Sequence, residues 1–348
     1  MMSFIIYKAI LCVAVFTLSL VIAMYSTLWE RKFASFLQDR VGPDRAGPWG
    51  ILQPLADGGK LFFKEEIVPN VSNKFLFILG PCLFMVTALM TGVVIPWGKD
   101  VVIGGTTYAL QITDINIGIL YLFGVVSIGV YGIMIGGWAS NNKYALLGAI
   151  RASSQMISYE IAMGLAVIAL VITAGGTLSL REIVEKQDAG YANIVYQPLG
   201  FIIFFICALA ETNRAPFDLP ECESELVGGY HTEYSSMKLG LFLFAEYINM
   251  FVSSAIMSAF YFGGYNFPYA HELYNAMGLQ EGSVWISLIG FGAFFTKTLI
   301  FISVFMWVRW TLPRFRYDQL MNLGWKILIP LSLLNLAITA VWMYIRNR

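Results

Sequence analysis

The chain has 348 residues, of which 58% are hydrophobic, 15% aromatic and only 13% charged, about half the charged share of a soluble domain. Apolar runs of about 20 residues, enough to cross a ~30 Å hydrocarbon layer, recur along it, so the composition excludes a soluble globular fold and points to lipid. The formal net charge is zero; the total therefore favours neither nucleic acid nor an acidic partner, and only the placement of charge is informative.

The first apolar run, FIIYKAILCVAVFTLSLVIAMYSTLW, is longer than a signal-peptide core and lacks a small-residue cleavage site, so it reads as a retained span over about 4–28. The loop that follows, about 29–74, contains QPLADGGKLFFKEE, in which Pro54 is suited to the first turn of a helix. Asp57, Lys60 and Lys64 fall at i, i+3 and i+7 on one face, and Leu55, Ala56, Gly59, Phe62 and Phe63 fill much of the rest. That is the pattern of an amphipathic helix at the membrane interface. The competing reading is a surface loop, which the two adjacent glycines favour through their helix cost.

Further spans are expected at about 75–96, 115–137, 152–173, 198–213, 239–262, 285–309 and 326–345, about eight in all. The expected fold is all-α: one polytopic membrane domain over residues 1–348, with an added interfacial helix and no soluble domain. No internal repeat or low-complexity tract is evident.

An even number of spans puts both termini on one side. With Lys and Arg near span ends counted to the adjoining face, the loops after the first, third, fifth and seventh spans then hold 15 of them, against 6 on the other face, and Lys297 alone is left in mid-span. By the positive-inside rule the 15-charge face is cytoplasmic and both termini are outside.

Three expected spans each carry a lone glutamate toward that face: Glu160, Glu211 and Glu246. An ionised acid at mid-bilayer costs about 2.5–3.5 kcal/mol on insertion scales, so such residues need a reason. One account is structural, with each near a helix end and paired to Arg151, Arg214 or Lys297. The other is a shared, water-filled proton path, favoured by the acidic loop over about 214–238 that the glutamates face. Asp218, Glu221, Glu223, Glu225 and Glu233 lie there with only Arg214 and Lys238 as flanking cations. Pro216 and Pro220 stiffen that segment. A carboxylate that is partly desolvated among like charges holds its proton more readily, which is what a relay needs.

Other chemistry is not indicated. Cys12, Cys82, Cys207 and Cys222 form no C-x-x-C pair, so neither a disulfide scaffold nor a cysteine-bound metal is expected. His231 and His271 fall on opposite sides, which removes a bis-histidine haem. No phosphate-binding or dinucleotide glycine motif is present. The chain alone is therefore not expected to oxidise a soluble substrate, to bind a metal or to carry a redox cofactor.

Three long stretches carry a resemblance: ERKFASFLQDRVGPDRAGPWGILQPLADGGKLFFKEE, ETNRAPFDLPECESELVGGYHTEYSSMKLGLFLFAEY and FMWVRWTLPRFRYDQLMNLGWK. Together, over nearly the whole chain, they resemble the H-type membrane subunit family of bacterial respiratory complex I, equivalent to mitochondrial subunit 1. The resemblance implies an eight-helix subunit at the junction of the membrane and peripheral arms of a proton-pumping NADH:quinone oxidoreductase. It would form much of the quinone chamber, with ubiquinone or menaquinone as substrate.

The same resemblance implies that Glu160, Glu211 and Glu246, continued by Glu221, Glu223 and Glu225, form a carboxylate chain linking quinone chemistry to pumping. It implies that Glu30, Arg31, Arg40, Asp57 and Lys60 line the quinone channel, with Phe217 beside it. Read from the residues alone, the charges of the first loop suit lipid phosphate contacts or an inter-subunit salt bridge equally well. Implied partners are the quinone-site and iron–sulfur subunits of the peripheral arm, small and antiporter-like membrane subunits, and lipids, with no nucleic acid. The expected location is a bacterial plasma membrane, with an organellar inner membrane as the alternative. One departure is Cys222, which stands between Glu221 and Glu223 where the family has glycine or alanine.

A second function shares the fold and the acids: membrane anchor and ion relay of a related hydrogenase or ferredoxin-linked complex without quinone. The intact first-loop stretch and PRFRYDQLM favour the quinone enzyme. An independent transporter is disfavoured by the lack of an inverted repeat.

Overall fold

The computed structural model describes residues 2–188, 191–219, 226–279 and 282–346. The helices are α1 Met2–Leu37, α2 Gln53–Phe63, α3 Lys74–Thr91, α4 Gly118–Ala139, α5 Lys143–Thr173, α6 Leu180–Asp188, α7 Asn193–Tyr196 and α8 Pro198–Glu211. They continue with α9 Ser236–Tyr261, α10 Ala270–Ala276, α11 Val284–Thr311, α12 Tyr317–Asn322 and α13 Ile329–Arg346. A π-helical turn, Leu323–Leu328, joins α12 to α13 in one rod. The only sheet among the described residues is a two-stranded hairpin, β1 Val101–Ile103 against β2 Thr106–Tyr108, antiparallel with Val101 opposite Tyr108.

Seven helices among the described residues are long and apolar enough to cross a membrane, and the chain is a multi-pass, all-α membrane protein. The span expected over 198–213 is present as α8, but with 14 residues. At 1.5 Å per residue it is roughly 21 Å long, short of the hydrocarbon layer. Polar contacts complete its far end. Gln197 is buried and donates to Thr339 Oγ1 at 2.6 Å, while Asn335 of α13 donates to Gln197 Oε1 at 3.0 Å. Such side-chain pairing satisfies polar groups where lipid cannot.

Caps and close approaches set the helix positions. Asn73 caps α3 by accepting from Phe75 N at 3.1 Å, and Asn142 caps α5 by accepting from Tyr144 N at 2.9 Å. α3 and α4 meet through glycine: a Cβ on Gly80 would lie 2.8 Å from Gly136 Cα. Small residues let membrane helices approach this closely. α9 is the central helix, with every residue over 250–261 buried. Such all-round burial marks a helix inside the bundle. Its neighbours α3 and α11 contribute Phe77, Phe84, Phe294 and Phe305 to one core, which Ile133 of α4 and Tyr159 of α5 extend. Phe4, Ile5, Ile10 and Val13 of α1 are exposed, as befits a peripheral helix.

Candidate functional site

The amphipathic helix forms where its spacing predicts, with Pro54 in the first turn. Its orientation is less obvious. Asp57, Lys60 and Lys64 face a groove between α1, α2 and α9, and Leu55, Phe62 and Phe63 point away and are exposed. The groove measures about 550 Å³. Met24, Leu61, Leu243, Phe244 and Trp310 supply its apolar lining, and Thr27, Glu30, Arg31, Asp57, Lys60 and Tyr247 its polar groups. An apolar cleft of this size with a few convergent polar groups is the usual form of a small-molecule site.

Of the six residues implied for a quinone channel, Glu30, Arg31, Asp57 and Lys60 line this groove. Arg31 Nη1 pairs with Asp57 Oδ2 at 2.7 Å, and Gln53 Nε2 donates to Asp57 Oδ1 at 3.0 Å, which ties α2 to the end of α1. Arg40 lies elsewhere: it is exposed, and its Nε donates to Gln38 Oε1 at 2.8 Å. Phe217 is also away from the groove, buried with its ring 5.5 Å from Tyr159 and 5.4 Å from Phe315.

Glu30 is the hinge between groove and interior. It is 6% exposed, and its Oε1 lies 2.6 Å from Arg309 Nη1. Its Oε2 accepts from Tyr247 Oη at 2.9 Å and from Arg214 Nη1 at 3.4 Å. Arg214 is buried, stacks on the Tyr247 ring at 4.0 Å and brings Nη2 to 4.0 Å from Glu246 Oε2. Tyr230 donates to Glu246 Oε1 at 2.7 Å. A buried carboxylate held between two guanidinium groups and a hydroxyl is compensated, which its burial requires.

The position of Tyr230 follows from a glycine. Its turn rests directly on α5, and a Cβ on Gly148 would lie 2.7 Å from Tyr230 N. Any larger residue at 148 would push the hydroxyl away from Glu246.

Glu160 and Glu211 come together in a second place. With Thr87, Thr91, Met156 and Asn249 they line a cavity of about 20 Å³, room for one water. Ser127 of α4 donates to Glu160. Asn249 lies one turn along α9 from Glu246, so α9 connects the two carboxylate sites. The cations considered as partners for these acids behave differently: Arg214 approaches Glu246, whereas Lys297 Nζ donates to the carbonyls of Phe262 at 2.7 Å, Gly264 at 2.8 Å and Asn266. In the loop, Asp218 pairs with Arg314 at 3.0 Å and Glu233 accepts from Asn142 at 2.6 Å. Glu221, Glu223 and Glu225, with Cys222 and Pro220, lie outside the described residues.

Tyr230, Tyr247 and Arg309 were not among the expected site residues, and Arg214 entered only as one of three possible partners for the glutamates. Tyr247 follows Glu246 directly, and adjacent helical residues point about 100° apart. One neighbour therefore reaches the groove while the other is buried under Arg214. Arg309 gave only a count toward the loop charge, since its partner lies in α1.

These features define a polytopic membrane protein in which a lateral groove is wired by buried charges to carboxylates within the bundle. The chain belongs to the NADH dehydrogenase family, whose model matches residues 9–340. It is 68% identical over 337 residues to an H-type NADH-quinone oxidoreductase subunit of Cytophaga hutchinsonii, covering 97% of this chain and 96% of that protein. It is 60% identical over 339 residues to the H-type NADH-quinone oxidoreductase subunit of Flavobacterium psychrophilum, covering 97% of each. With NADH-quinone oxidoreductase subunit 8 of Rhodothermus marinus it shares 48% identity over 90% of each chain.

Proposed function

We propose that this chain is the membrane subunit of a proton-translocating NADH:quinone oxidoreductase, in which the groove admits the quinone and the buried acids couple its reduction to proton movement. The observation that carries the proposal is the double engagement of Glu30. It lines the groove and, through Arg214, reaches Glu246.

The groove residues suit a quinone: apolar walls for the tail and ring, and Arg31, Lys60 and Tyr247 near enough to meet ring oxygens. Reduction of a quinone to a quinol takes up electrons and protons in equal number, so negative charge develops on the ring oxygens before protons neutralise it. Charge placed beside Glu30 and Arg214 alters the balance of their ion pairs, and Glu246 senses it through Arg214. Glu160 and Glu211, which line one small cavity, continue the relay. The electron donor sits in a peripheral arm supplied by partner subunits. The groove end faces the cytoplasm of a bacterial plasma membrane, with both termini outside.

The test is purification from mildly solubilised native membranes through a tag on this chain. Mass spectrometry of the co-purifying subunits and NADH-driven, inhibitor-sensitive quinone reduction are measured together. A flavin and iron–sulfur assembly with that activity supports the proposal. A hydrogenase-type arm without quinone reduction would move the function to an anchor and ion relay.

A further inference from the structure

The turn that carries Arg214 is fastened by a residue that touches neither groove nor carboxylate chain. Gln155 of α5 is fully buried, 0% exposed. Its Nε2 donates to Ala210 O at 2.7 Å and to Phe217 O at 2.9 Å, with Asn213 Oδ1 at 3.3 Å. Because the surrounding groups are acceptors, the amide can point only its nitrogen at them.

These acceptors bracket the turn. Ala210 is in the last turn of α8, Phe217 follows the cis Ala215–Pro216 bond, and Phe217 N donates to Arg214 O at 2.8 Å. Asn213 takes a left-handed φ of 50°. One amide thus staples both ends of the segment from which the Arg214 side chain departs.

The guanidinium needs that support. Its Nε and Nη2 find no hydrogen-bond acceptor among the described residues, and its bond to Glu30 is 3.4 Å long. Its own contacts, a stack on Tyr247 and a 4.0 Å approach to Glu246, are weakly directional. The backbone therefore sets where the charge sits.

We infer that Gln155 is the positioning residue for Arg214, fixing through the 210–217 turn the cation that joins the groove to Glu246. The inference rests on the proposed quinone reading of the groove. A methionine at 155 keeps the volume and removes the donor, which takes from Phe217 O its side-chain partner and leaves Ala210 O its bond from Asn213 N. A glutamate keeps one donor while protonated and repels the same carbonyls once ionised.

The experiment compares the assembled complexes carrying Gln155→Met, Arg214→Lys and both, with NADH oxidation by a water-soluble acceptor as the control for an intact arm. Displacing the cation is expected to raise the quinone KM roughly tenfold in each single variant, the scale of one buried hydrogen bond lost, with kcat changing far less. The double variant is expected to match the worse single one, since both act on one group. Additive effects, or a normal KM in Gln155→Met beside a raised one in Arg214→Lys, would overturn the positioning role and spare the groove. A normal KM in Arg214→Lys would instead overturn the quinone reading itself. If Gln155→Met does not assemble, Gln155→Glu carries the test: its KM is expected to rise with pH as the side chain ionises, and a flat profile would reject the inference. Failure of both to assemble would assign Gln155 to folding alone.

Discussion

The carboxylate of Glu30, near the end of α1, meets the guanidinium of Arg309, near the end of α11, at 2.6 Å. The contact closes the groove end of the bundle and leaves the other Glu30 oxygen to Tyr247 and Arg214. The Glu30–Arg214 pair is buried on both sides, and removing the acid strands that cation at a cost of about 3–5 kcal/mol. Glu30→Gln is therefore expected to shorten the thermal inactivation half-life of the complex and to lower quinone turnover together. Retention of both would show that the two arginines find other compensation.

The neighbouring pair gives the opposite expectation. Arg31 and Asp57 also meet at 2.7 Å, but their side chains are 50% and 29% exposed. Exposed pairs contribute about 0–1 kcal/mol. Arg31→Gln should leave thermal stability unchanged while raising the quinone KM, because the residue lines the proposed entrance. A stability loss equal to that of Glu30→Gln would contradict this contrast.

Glu246 and Tyr230 form the next link, and they offer graded variants. Glu246→Gln keeps shape and volume but cannot carry charge, so NADH:quinone reductase activity and proton pumping should both fall with assembly intact. Tyr230→Phe removes only the hydroxyl bonded to Glu246 at 2.7 Å, a loss of about 1–3 kcal/mol if the acceptor stays unsatisfied. Its activity should lie between native and Glu246→Gln, and the two changes combined should do no more than Glu246→Gln alone. Normal turnover and pumping in Glu246→Gln would count against a coupling role.

Much of the fold is legible because a bilayer demands long apolar runs, and these stand out in α1, α3, α4, α5, α9 and α11 without any partner information. The length of α8 is not legible in that way: its apolar run extends up to Pro198, and only the pairing of Gln197 with α13 reveals where the polar layer begins. The face of α2 is another limit. Spacing put Asp57, Lys60 and Lys64 on one side, but it took Arg31 and the groove to turn that side inward. Among the site residues, Glu160, Glu211 and Glu246 are visible because a carboxylate in an apolar run is costly wherever it packs. Arg309 and Gln155 act through partners from other helices, and no local pattern encodes such meetings; Arg214 was legible as a cation near the glutamates, but not which of them it would meet.

Lys297 is a cation in the middle of α11, and its role separates stability from function. The chain leaves α9 through Gly263 and Gly264, both at positive φ, a turn that aims the carbonyls of Phe262, Gly264 and Asn266 at the ammonium group. Glycine adopts that conformation at little steric cost. Each bond to a charged donor contributes about 1.5–3 kcal/mol, and lipid offers no substitute for the lost cap. Lys297→Met is expected to shorten the thermal inactivation half-life severalfold while the assembled fraction keeps its native quinone KM, because this turn lies at the end of α9 opposite Glu246 and the groove. A changed KM with unchanged stability would place Lys297 in the coupling path instead.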